Sequence, residues 1–177
     1  SMQNTLSYST LVATTLAGLE TVCAAELEAL GASGVLPLKR AVRFQGDQSL
    51  MWKTNYCSRT ALRILVPIAE YSVESAEEYY TMLNGYAWEK IMSVNDTFAI
   101  EAVGNHPSFT NTMFAAQKAK DAIADRFRKQ TGQRPSVNLR DPDLRIHIHL
   151  QQERIGVSLD SSGEPLFKRG YRLAAVP

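Results

Sequence analysis

The sequence has few of the residues on which disulfide frameworks and metal sites depend. It contains two cysteines and three histidines among 177 residues. Cys23 and Cys57 lie far apart in helical patterns, and two cysteines without histidine partners do not complete a zinc site. We therefore predict two reduced thiols in the core, as in a protein of the cytosol.

Long apolar runs are missing as well. No stretch approaches the roughly 20 apolar residues that a helix needs to cross a bilayer, and the first residues lack the basic start and apolar block of a secretory signal. Hydrophobic residues nevertheless make up 45% of the chain, which is enough for a packed core. We expect a folded, cytoplasmic protein that does not enter a membrane.

Motifs of known catalytic sites are also absent. The sequence contains no Gly-x-Ser-x-Gly, no Walker A loop and no Gly-x-Gly-x-x-Gly after a strand. It also lacks the Asp/Asn-Pro-Pro-Tyr/Phe loop of base-methylating enzymes. His147 and His149 alternate on one face of a predicted strand, but the third ligand of a metal site is not evident. We predict neither a catalytic centre nor a metal site in this chain.

The first 71 residues follow the pattern β-α-β-β-α-β. Alternating and β-branched residues predict the strands, apolar residues at helical spacing predict the helices, and Asp47 is placed to cap the second helix. This order is the ferredoxin-like pattern, in which an antiparallel sheet carries both helices on one face. The predicted strands are 8–14, 35–38, 41–45 and 60–71, and the predicted helices are 18–31 and 49–58.

From about Ser72 the order of elements changes. Ser75 and Glu78 have the spacing of a capping box, and Gly132 is a natural end for the longest helix. The fold class is therefore α+β, with a ferredoxin-like domain followed by an α/β domain. The predicted elements of this second part are two short helices within 75–92, a strand over 97–103, a helix over 111–131 and strands over 137–139, 144–150 and 154–159.

Charge is distributed unevenly although the net charge is only +1. Residues 1–117 hold 7 Lys and Arg against 11 Asp and Glu, a net charge of −4, and residues 118–177 hold 12 against 7, a net charge of +5. Such asymmetry favours an electrostatic face that steers a polyanion. In the stretch 157–172, three cations surround Gly170 and Tyr171, which suits phosphate pairing and base stacking. The alternative interpretation is a solvated basic tail.

Four segments together resemble one bacterial enzyme family. They are LAGLETVCAAELEALGA (16–32), NYCSRTALRIL (55–65), AAQKAKDAIADRFRKQTGQRPSVNLRDPDLRIHIHL (115–150) and SLDSSGEPLFKRGYR (158–172). They are similar to the front part of THUMP-domain RNA methyltransferases, the type that makes 2-methylguanosine in large-subunit ribosomal RNA and is often labelled an adenine-specific DNA methylase. Phe167 departs from the family pattern, which commonly has histidine at this position.

The resemblance implies a domain plan. It assigns residues 2–71 to a ferredoxin-like domain, 72–163 to a THUMP domain and 164–177 to a linker toward a methyltransferase domain that is not in this chain. That domain would bind S-adenosylmethionine and do the chemistry, so no cofactor is expected here. The implied partner is structured RNA, specifically large-subunit ribosomal RNA, while the target nucleotide and the oligomeric state are left open.

The resemblance also makes particular side chains candidates for RNA contacts. Cations of the long helix and of the carboxyl-terminal stretch would meet phosphates, aromatic residues would stack on bases, and Asn111 would stand at a helix amino-terminus that can receive a phosphate. For Phe109 a role in the core stays equally open. The candidates are Lys118, Lys120, Arg134, Lys168, Arg169 and Arg172 for phosphates, Phe109 and Tyr171 for stacking, and Asn111.

Two other functions stay open from the residues alone. A basic face can bind an acidic protein instead of RNA, which would make the chain a protein-interaction module. A small stand-alone hydrolase would use His106 or the pair His147 and His149. A hydrolase predicts a pocket with converging polar groups and perturbed pKa values.

Overall fold

The computed structural model describes residues 9–162. These residues divide into two compact units, the first formed by residues 9–67 with 160–162 and the second by residues 68–159. Two strands cross the boundary in sequence, because the fourth strand continues past Pro67 and the last strand ends at Asp160. Each unit is described by itself.

The first unit, called unit 1 below, has the predicted ferredoxin-like order. The strands pair in the order β2-β3-β1-β4, and each neighbouring pair is antiparallel. A mixed α+β class and a ferredoxin-like first domain are thereby confirmed. The elements are β1 (Ser9–Thr15), α1 (Glu20–Ala29), β2 (Ser33–Leu38), β3 (Ala41–Gly46), α2 (Gln48–Cys57) and β4 (Ala61–Tyr71).

One face of this sheet forms the core of unit 1. Leu11 and Ala13 of β1 and Val42 and Phe44 of β3 are fully buried, and the residues between them are not, as expected for a strand with one covered face. Both helices contact β3. Arg43, which alternates with the buried pair of β3, is exposed on the opposite face.

Helix α2 buries less of its surface than its composition predicts. Leu50, Met51 and Thr54 face the core, whereas Tyr56 is 93% exposed. At 100° per residue, Tyr56 lies nearly opposite the mean direction of the three buried side chains. Cys57 is also exposed, so the expectation of two core thiols is wrong for Cys57, which stands at the open end of a ten-residue helix. Cys23 is buried as expected.

One carboxylate ties α1 to the turn between α2 and β4. Glu26 Oε1 accepts hydrogen bonds from the Ser58 hydroxyl and from the Arg59 N–H, the latter at 2.8 Å. The Thr60 N–H and hydroxyl donate to the same oxygen at 3.2 and 3.1 Å. Burial raises the pKa of Glu26, but these hydrogen bonds outweigh burial, so the pKa lies below its ordinary value. The ionised form of Glu26 therefore stabilises unit 1.

In the second unit, called unit 2 below, a long helix connects two parallel strands that pair with each other. Strands β5 and β6 are parallel and joined through α4, and β6 pairs antiparallel with β7. Such a helical crossover is the usual connection between parallel strands. The elements are α3 (Ala76–Gly85), a short 3-10 helix (Trp88–Lys90), β5 (Phe98–Gly104), α4 (Thr112–Thr131), β6 (Leu144–Leu150) and β7 (Ile155–Asp160).

The predicted strand over 137–139 does not form. Only a single bridge links Val137 to Phe98, because the side chain of Asn138 turns the chain. Asn138 Oδ1 accepts hydrogen bonds from the N–H groups of Arg140 and Asp141 at 3.1 and 3.0 Å. A short polar side chain that bonds to the backbone two residues on favours a turn over a strand.

A buried tryptophan and two helix ends that the sequence predicts stabilise the helices of unit 2. Trp88 is fully buried, and its indole N–H donates to the Leu83 carbonyl at 2.8 Å. Ser75 Oγ accepts from the Glu78 N–H at 3.1 Å, and Gly132 ends α4 in the left-handed region with φ +78°.

Among the helices of residues 9–162, none combines the length and the apolar composition that a membrane span requires.

The end of β5 requires glycine. Gly104 has φ +94° and pairs with Leu150 of β6, and a Cβ atom at this position would lie 2.1 Å from the Leu150 carbonyl oxygen. The next residue, Asn105, donates its N–H to the same oxygen at 3.2 Å. Gly104 thus fixes where the loop before α4 leaves the sheet.

We predict that Glu26→Gln destabilises the protein in a pH-dependent way. At pH 7 the free energy of unfolding should fall by about 1 kcal/mol, because hydrogen bonds to a charged acceptor are stronger than those to a neutral one by roughly that amount. The pKa of Glu26 is lowered in the folded state, so its contribution is present above the unfolded value, ordinarily 4.5, and is lost as the pH falls below it. Urea unfolding at pH 7 and at about pH 3 measures both effects.

The matched control is Glu28→Gln, which changes an exposed glutamate of the same helix. It should alter the free energy of unfolding by less than about 0.5 kcal/mol at either pH. An equal deficit of Glu26→Gln at both pH values would contradict the assignment of the stabilisation to the ionised carboxylate.

A second prediction concerns Gly104→Ala. The added methyl group meets a backbone carbonyl and the residue keeps a left-handed φ, so we expect a loss of at least about 2 kcal/mol in the free energy of unfolding. Gly85→Ala is the control, because a Cβ atom there meets nothing within 4 Å and φ is not positive. Thermal unfolding of both variants tests the difference, and equal melting temperatures would refute it.

Candidate nucleic-acid interface

Helix α4, which carries the predicted phosphate contacts, is fixed against α3 by polar contacts. The Tyr79 hydroxyl donates to the Ala115 carbonyl at 2.9 Å, and the side-chain amide of Asn84 donates to the Ala122 carbonyl at 2.9 Å. Two turns of α4 are therefore held in register with α3. The side chains that α4 presents beside α3 have defined neighbours as a consequence.

Arg126 of α4 also forms an ion pair with Glu89 of the 3-10 helix that follows α3. Arg126 Nε and Nη2 each bond a carboxylate oxygen of Glu89 at 2.8 Å, and Nη1 donates to the Asn84 carbonyl at 3.0 Å. The bidentate hydrogen bonds from Arg126 hold the pKa of Glu89 at about 2. This pair remains ionised throughout the physiological pH range.

The predicted cation Lys118 lies between α3 and α4 in a mixed environment. Its Nζ atom is 3.4 Å from Glu77 Oε1 and 5.7 Å from the centroid of the Tyr80 ring. The Tyr80 hydroxyl in turn donates to Asp125 Oδ2 at 2.5 Å, and this hydrogen bond raises the pKa of Tyr80. Lys118 is therefore linked through Tyr80 to the carboxylates of α4.

The other two predicted cations of this unit join the same network. Arg134 Nη2 lies 3.8 Å from both Asp121 Oδ1 and Asp125 Oδ1, and Lys120 Nζ lies 3.3 Å from Asp121 Oδ1. Arg128 contacts Asp125 at 3.7 Å. We call this set the α4 charge network. Its members are Glu77, Tyr80, Lys118, Lys120, Asp121, Asp125, Arg128 and Arg134.

The structure thus brings Lys118, Lys120 and Arg134 together, but beside carboxylates. Unit 2, residues 68–159, holds 10 Lys and Arg against 12 Asp and Glu, a net charge of −2. Residues 118–159 carry 9 Lys and Arg against 5 Asp and Glu, a net charge of +4, so most of the positive excess found after residue 117 lies within unit 2, where the acidic residues before residue 118 outweigh it. Lys168, Arg169, Tyr171 and Arg172 lie outside the described residues.

Phe109 and Asn111 have structural partners in the loop before α4. Phe109 is 9% exposed and packs edge-on against the Tyr79 ring, with centroids 4.7 Å apart. Asn111 is the N-cap of α4, and its Oδ1 atom accepts the Phe114 N–H at 2.8 Å. The exposed aromatic ring of this region is Phe114, whose centroid lies 5.9 Å from that of Phe109.

The histidines take structural positions. His106 is buried beside Phe109, and its Nδ1 atom accepts the Ser108 N–H at 3.1 Å. His147 and His149 lie on β6 opposite Ser158 and Gly156 of β7, and burial lowers the pKa of His149. Across the described residues 9–162, no three His, Cys, Asp or Glu side chains are grouped to hold a metal ion.

Two polar features of unit 1 were not predicted. The first is the surface of α2 around Tyr56, whose exposed position a helical wheel of 48–57 would have revealed. The second is a set of hydrogen bonds that holds residues 160–162. The Asn55 side chain bonds the hydroxyls of Ser161 and Ser162 at 2.9 and 3.0 Å, and Ser161 donates its N–H and hydroxyl to the Ile64 carbonyl at 2.9 and 2.7 Å.

Comparison with known families matches both units. Residues 10–65 match the RlmL ferredoxin-like domain, and residues 73–160 match the THUMP domain. A curated relative, the ribosomal RNA large subunit methyltransferase K/L of Syntrophotalea carbinolica, is 38% identical over 164 residues, which are 93% of this chain and 23% of that protein. The chain thus spans about a quarter of the length of this relative.

Solved structures share the fold over nearly the whole chain. A predicted N6-adenine-specific DNA methylase from Listeria monocytogenes superposes with a TM-score of 0.73 at 22% identity, covering 95% of this chain and 44% of its own. SMU.472, crystallised with SAH, gives 0.72 at 28% identity with coverages of 94% and 45%. TrmN from Thermus thermophilus gives 0.64 at 20% identity with coverages of 92% and 48%.

The family matches agree with the architecture of each unit. The antiparallel four-stranded sheet with two helices is the part that matches the RlmL ferredoxin-like domain, and the β5-α4-β6 crossover lies within the THUMP match. The family matches do not favour a hydrolase. His106, one of the residues that a hydrolase would use, is buried in a loop within the THUMP match. The chain therefore belongs to the THUMP-domain proteins and carries an RlmL ferredoxin-like domain followed by a THUMP domain.

Proposed function

We propose that this chain is the RNA-binding region of an S-adenosylmethionine-dependent methyltransferase and that it positions large-subunit ribosomal RNA for methylation of a guanine N2 atom. The observation that carries the proposal is the match of 38% identity to a ribosomal RNA large subunit methyltransferase over 93% of the chain. A ribosomal RNA substrate implies that the protein acts in the cytoplasm.

The chemistry is assigned to a region outside this chain. The sequence contains neither a glycine-rich loop after a strand nor the Pro-Pro-Tyr type of loop, and such loops are what dinucleotide-like cofactors and target amino groups need. The longer relatives have room for such a region, because this chain covers about a quarter to a half of them. S-adenosylmethionine would supply the methyl group there, while residues of this chain hold the RNA.

The α4 charge network supports a specific mode of RNA contact. A cation that already faces a carboxylate must exchange it for a phosphate, so each contact gains less free energy than a free cation would give. Structured RNA is recognised largely through the shape of its backbone and its 2′-hydroxyls. A network with moderate affinity and fixed geometry therefore selects a matching backbone rather than any polyanion.

The first test of the proposal is the salt dependence of RNA binding. We expect fluorescence anisotropy with fragments of large-subunit ribosomal RNA to give an affinity that falls roughly ten- to hundred-fold between about 50 and 200 mM salt, if about three phosphates are neutralised. A double-stranded DNA of equal length and charge should bind less well. Failure to bind any of the RNA fragments, or binding without salt dependence, would overturn the proposal.

A second prediction separates the roles of the charges within the α4 charge network. Lys118→Gln should weaken RNA binding and reduce the slope of log affinity against log salt by about 1. Asp121→Asn should instead strengthen binding several-fold, because it releases Lys120 for a phosphate and removes one of the two carboxylates beside Arg134. Both variants are measured by anisotropy at one low and one moderate salt concentration.

The control for these variants is Arg154→Gln. Arg154 pairs with Glu70 at 3.0 Å in the same unit but does not belong to the α4 charge network. The variant Arg154→Gln should therefore leave the RNA affinity within about two-fold of that of the wild type. If Arg154→Gln weakened binding as much as Lys118→Gln, the effect would be one of net charge, and the assignment of a site to α4 would fail.

A further inference from the structure

The surface of α2 in unit 1 has a composition that folding does not explain. Tyr56 is 93% exposed, and Lys53 and Arg59 are exposed on either side of it in sequence. The Tyr56 side chain contributes nothing to the core, which α2 meets through Leu50, Met51 and Thr54. A single exposed ring is common on protein surfaces; what marks this one is the pair of exposed cations beside it in sequence. We call Lys53, Tyr56 and Arg59 the α2 surface.

The helical spacing places Lys53 and Tyr56 together, and Arg59 follows shortly after the end of the same helix. Lys53 and Tyr56 are three residues apart in one helix and therefore lie on neighbouring positions of one face. Arg59 follows the last turn, and its backbone N–H is fixed by Glu26 at 2.8 Å. The end of α2 is also held through Asn55, which bonds Ser161 and Ser162. The ring and the two cations are thus presented from an anchored part of the chain.

The cations of the α2 surface are available, unlike those of the α4 charge network. Within residues 9–162, no carboxylate lies within salt-bridge distance of Lys53 Nζ or of the Arg59 guanidinium. The cations Lys118, Lys120 and Arg134 of unit 2 each have such a neighbour. A free cation neutralises a phosphate without first losing a partner.

We propose that the α2 surface binds unpaired nucleotides of RNA, with a base stacked on Tyr56 and the flanking phosphates at Lys53 and Arg59. This inference rests on the proposed RNA-binding function and adds a second contact that distinguishes single-stranded from paired segments. An exposed tyrosine stacks on any base that is out of a helix, whereas bases inside a duplex offer no free face. The positive charge and the aromatic ring together favour RNA over an acidic protein surface.

The test compares two RNAs and a short series of variants in the whole chain. The first RNA is a hairpin with an unpaired loop of about ten nucleotides, and the second is a blunt duplex of the same number of phosphates. Tyr56→Ala should weaken binding of the loop RNA roughly 5- to 100-fold, the loss expected for one stacked base. Binding of the duplex should stay within about two-fold.

Three further variants make the result specific. Tyr56→Phe keeps the ring and should restore affinity for the loop RNA. Lys53→Gln should lower the salt slope for the same RNA by about 0.7, the value for one phosphate of a single strand. Arg43→Gln removes another exposed cation, from the opposite face of the unit 1 sheet, and should have no such effect.

Cys57 gives an independent readout. It is an exposed free thiol next to Tyr56, whereas Cys23 is buried and burial raises the pKa of its thiol. Alkylation by iodoacetamide should therefore modify Cys57 selectively, and saturating loop RNA should slow the reaction several-fold. Tyr56→Ala should abolish this protection at the same RNA concentration, and Cys57→Ser should show no reaction.

The outcomes distinguish this inference from the function on which it rests. If the wild type binds RNA with salt dependence but Tyr56→Ala binds loop RNA normally, or RNA leaves the alkylation of Cys57 unchanged, the α2 surface is not a contact and the proposed function stands. If the wild type binds neither RNA, both proposals fail. An equal loss of affinity for the loop RNA and the duplex in Tyr56→Ala also overturns the inference. Stacking on an unpaired base requires that the loop RNA lose more affinity than the duplex.

Discussion

The four hydrogen bonds that converge on one oxygen of Glu26 determine the shape of the first unit. They connect α1 to the turn after α2 through Ser58, Arg59 and Thr60, a stretch that would otherwise be an exposed loop. The carboxylate fixes the position at which α2 ends and β4 begins. It therefore also anchors the segment that directly follows Tyr56 and carries Arg59, so a single interaction couples the stability of the fold to the end of the helix that presents the exposed Tyr56 ring.

The two units differ in how they carry positive charge. In the THUMP unit, cations of α4 are paired with carboxylates of neighbouring elements, as in the bidentate pair of Arg126 with Glu89 of the 3-10 helix. In the ferredoxin-like unit, exposed cations face water. Charge that is already paired provides fixed geometry, and charge that is free provides attraction. The proposed binding of RNA would use both kinds, the free charge to attract the polyanion and the paired charge to hold it in one orientation.

Local sequence signals predicted much of this architecture. Asp47, Ser75 and Asn111 cap helices whose starts can be placed from these residues alone, and Gly132 ends α4. The prediction of a strand over 137–139 was wrong, because the Asn138 side chain competes with strand pairing. The alternation of apolar residues does not reveal this competition. The predicted helix over 49–58 is confirmed in type, but its apolar spacing alone did not separate the exposed Tyr56 from the residues that face the core.

The ion pairs of the candidate site were beyond prediction for a different reason. Lys118 meets Glu77 across 41 positions of sequence, and Tyr80 meets Asp125 across 45. No periodicity links such residues; only the packing of α3 on α4 does. The sequence therefore indicated which cations to consider but not that each already has a carboxylate neighbour, and it left open whether Phe109 is exposed for stacking or, as the structure shows, packed against Tyr79.

The hydrogen bonds of Asn55 and Ile64 to Ser161 and Ser162 have a consequence for biosynthesis. Unit 1 begins at the amino-terminal end of the described chain but is completed by residues 160–162, so the ribosome must translate all of unit 2 before these partners exist. At about 5–20 residues per second, the 92 residues of unit 2 take roughly 5–20 s to make. During that interval the Asn55 side chain and the Ile64 carbonyl of the nascent ferredoxin-like domain lack the hydrogen-bond partners that Ser161 and Ser162 later provide.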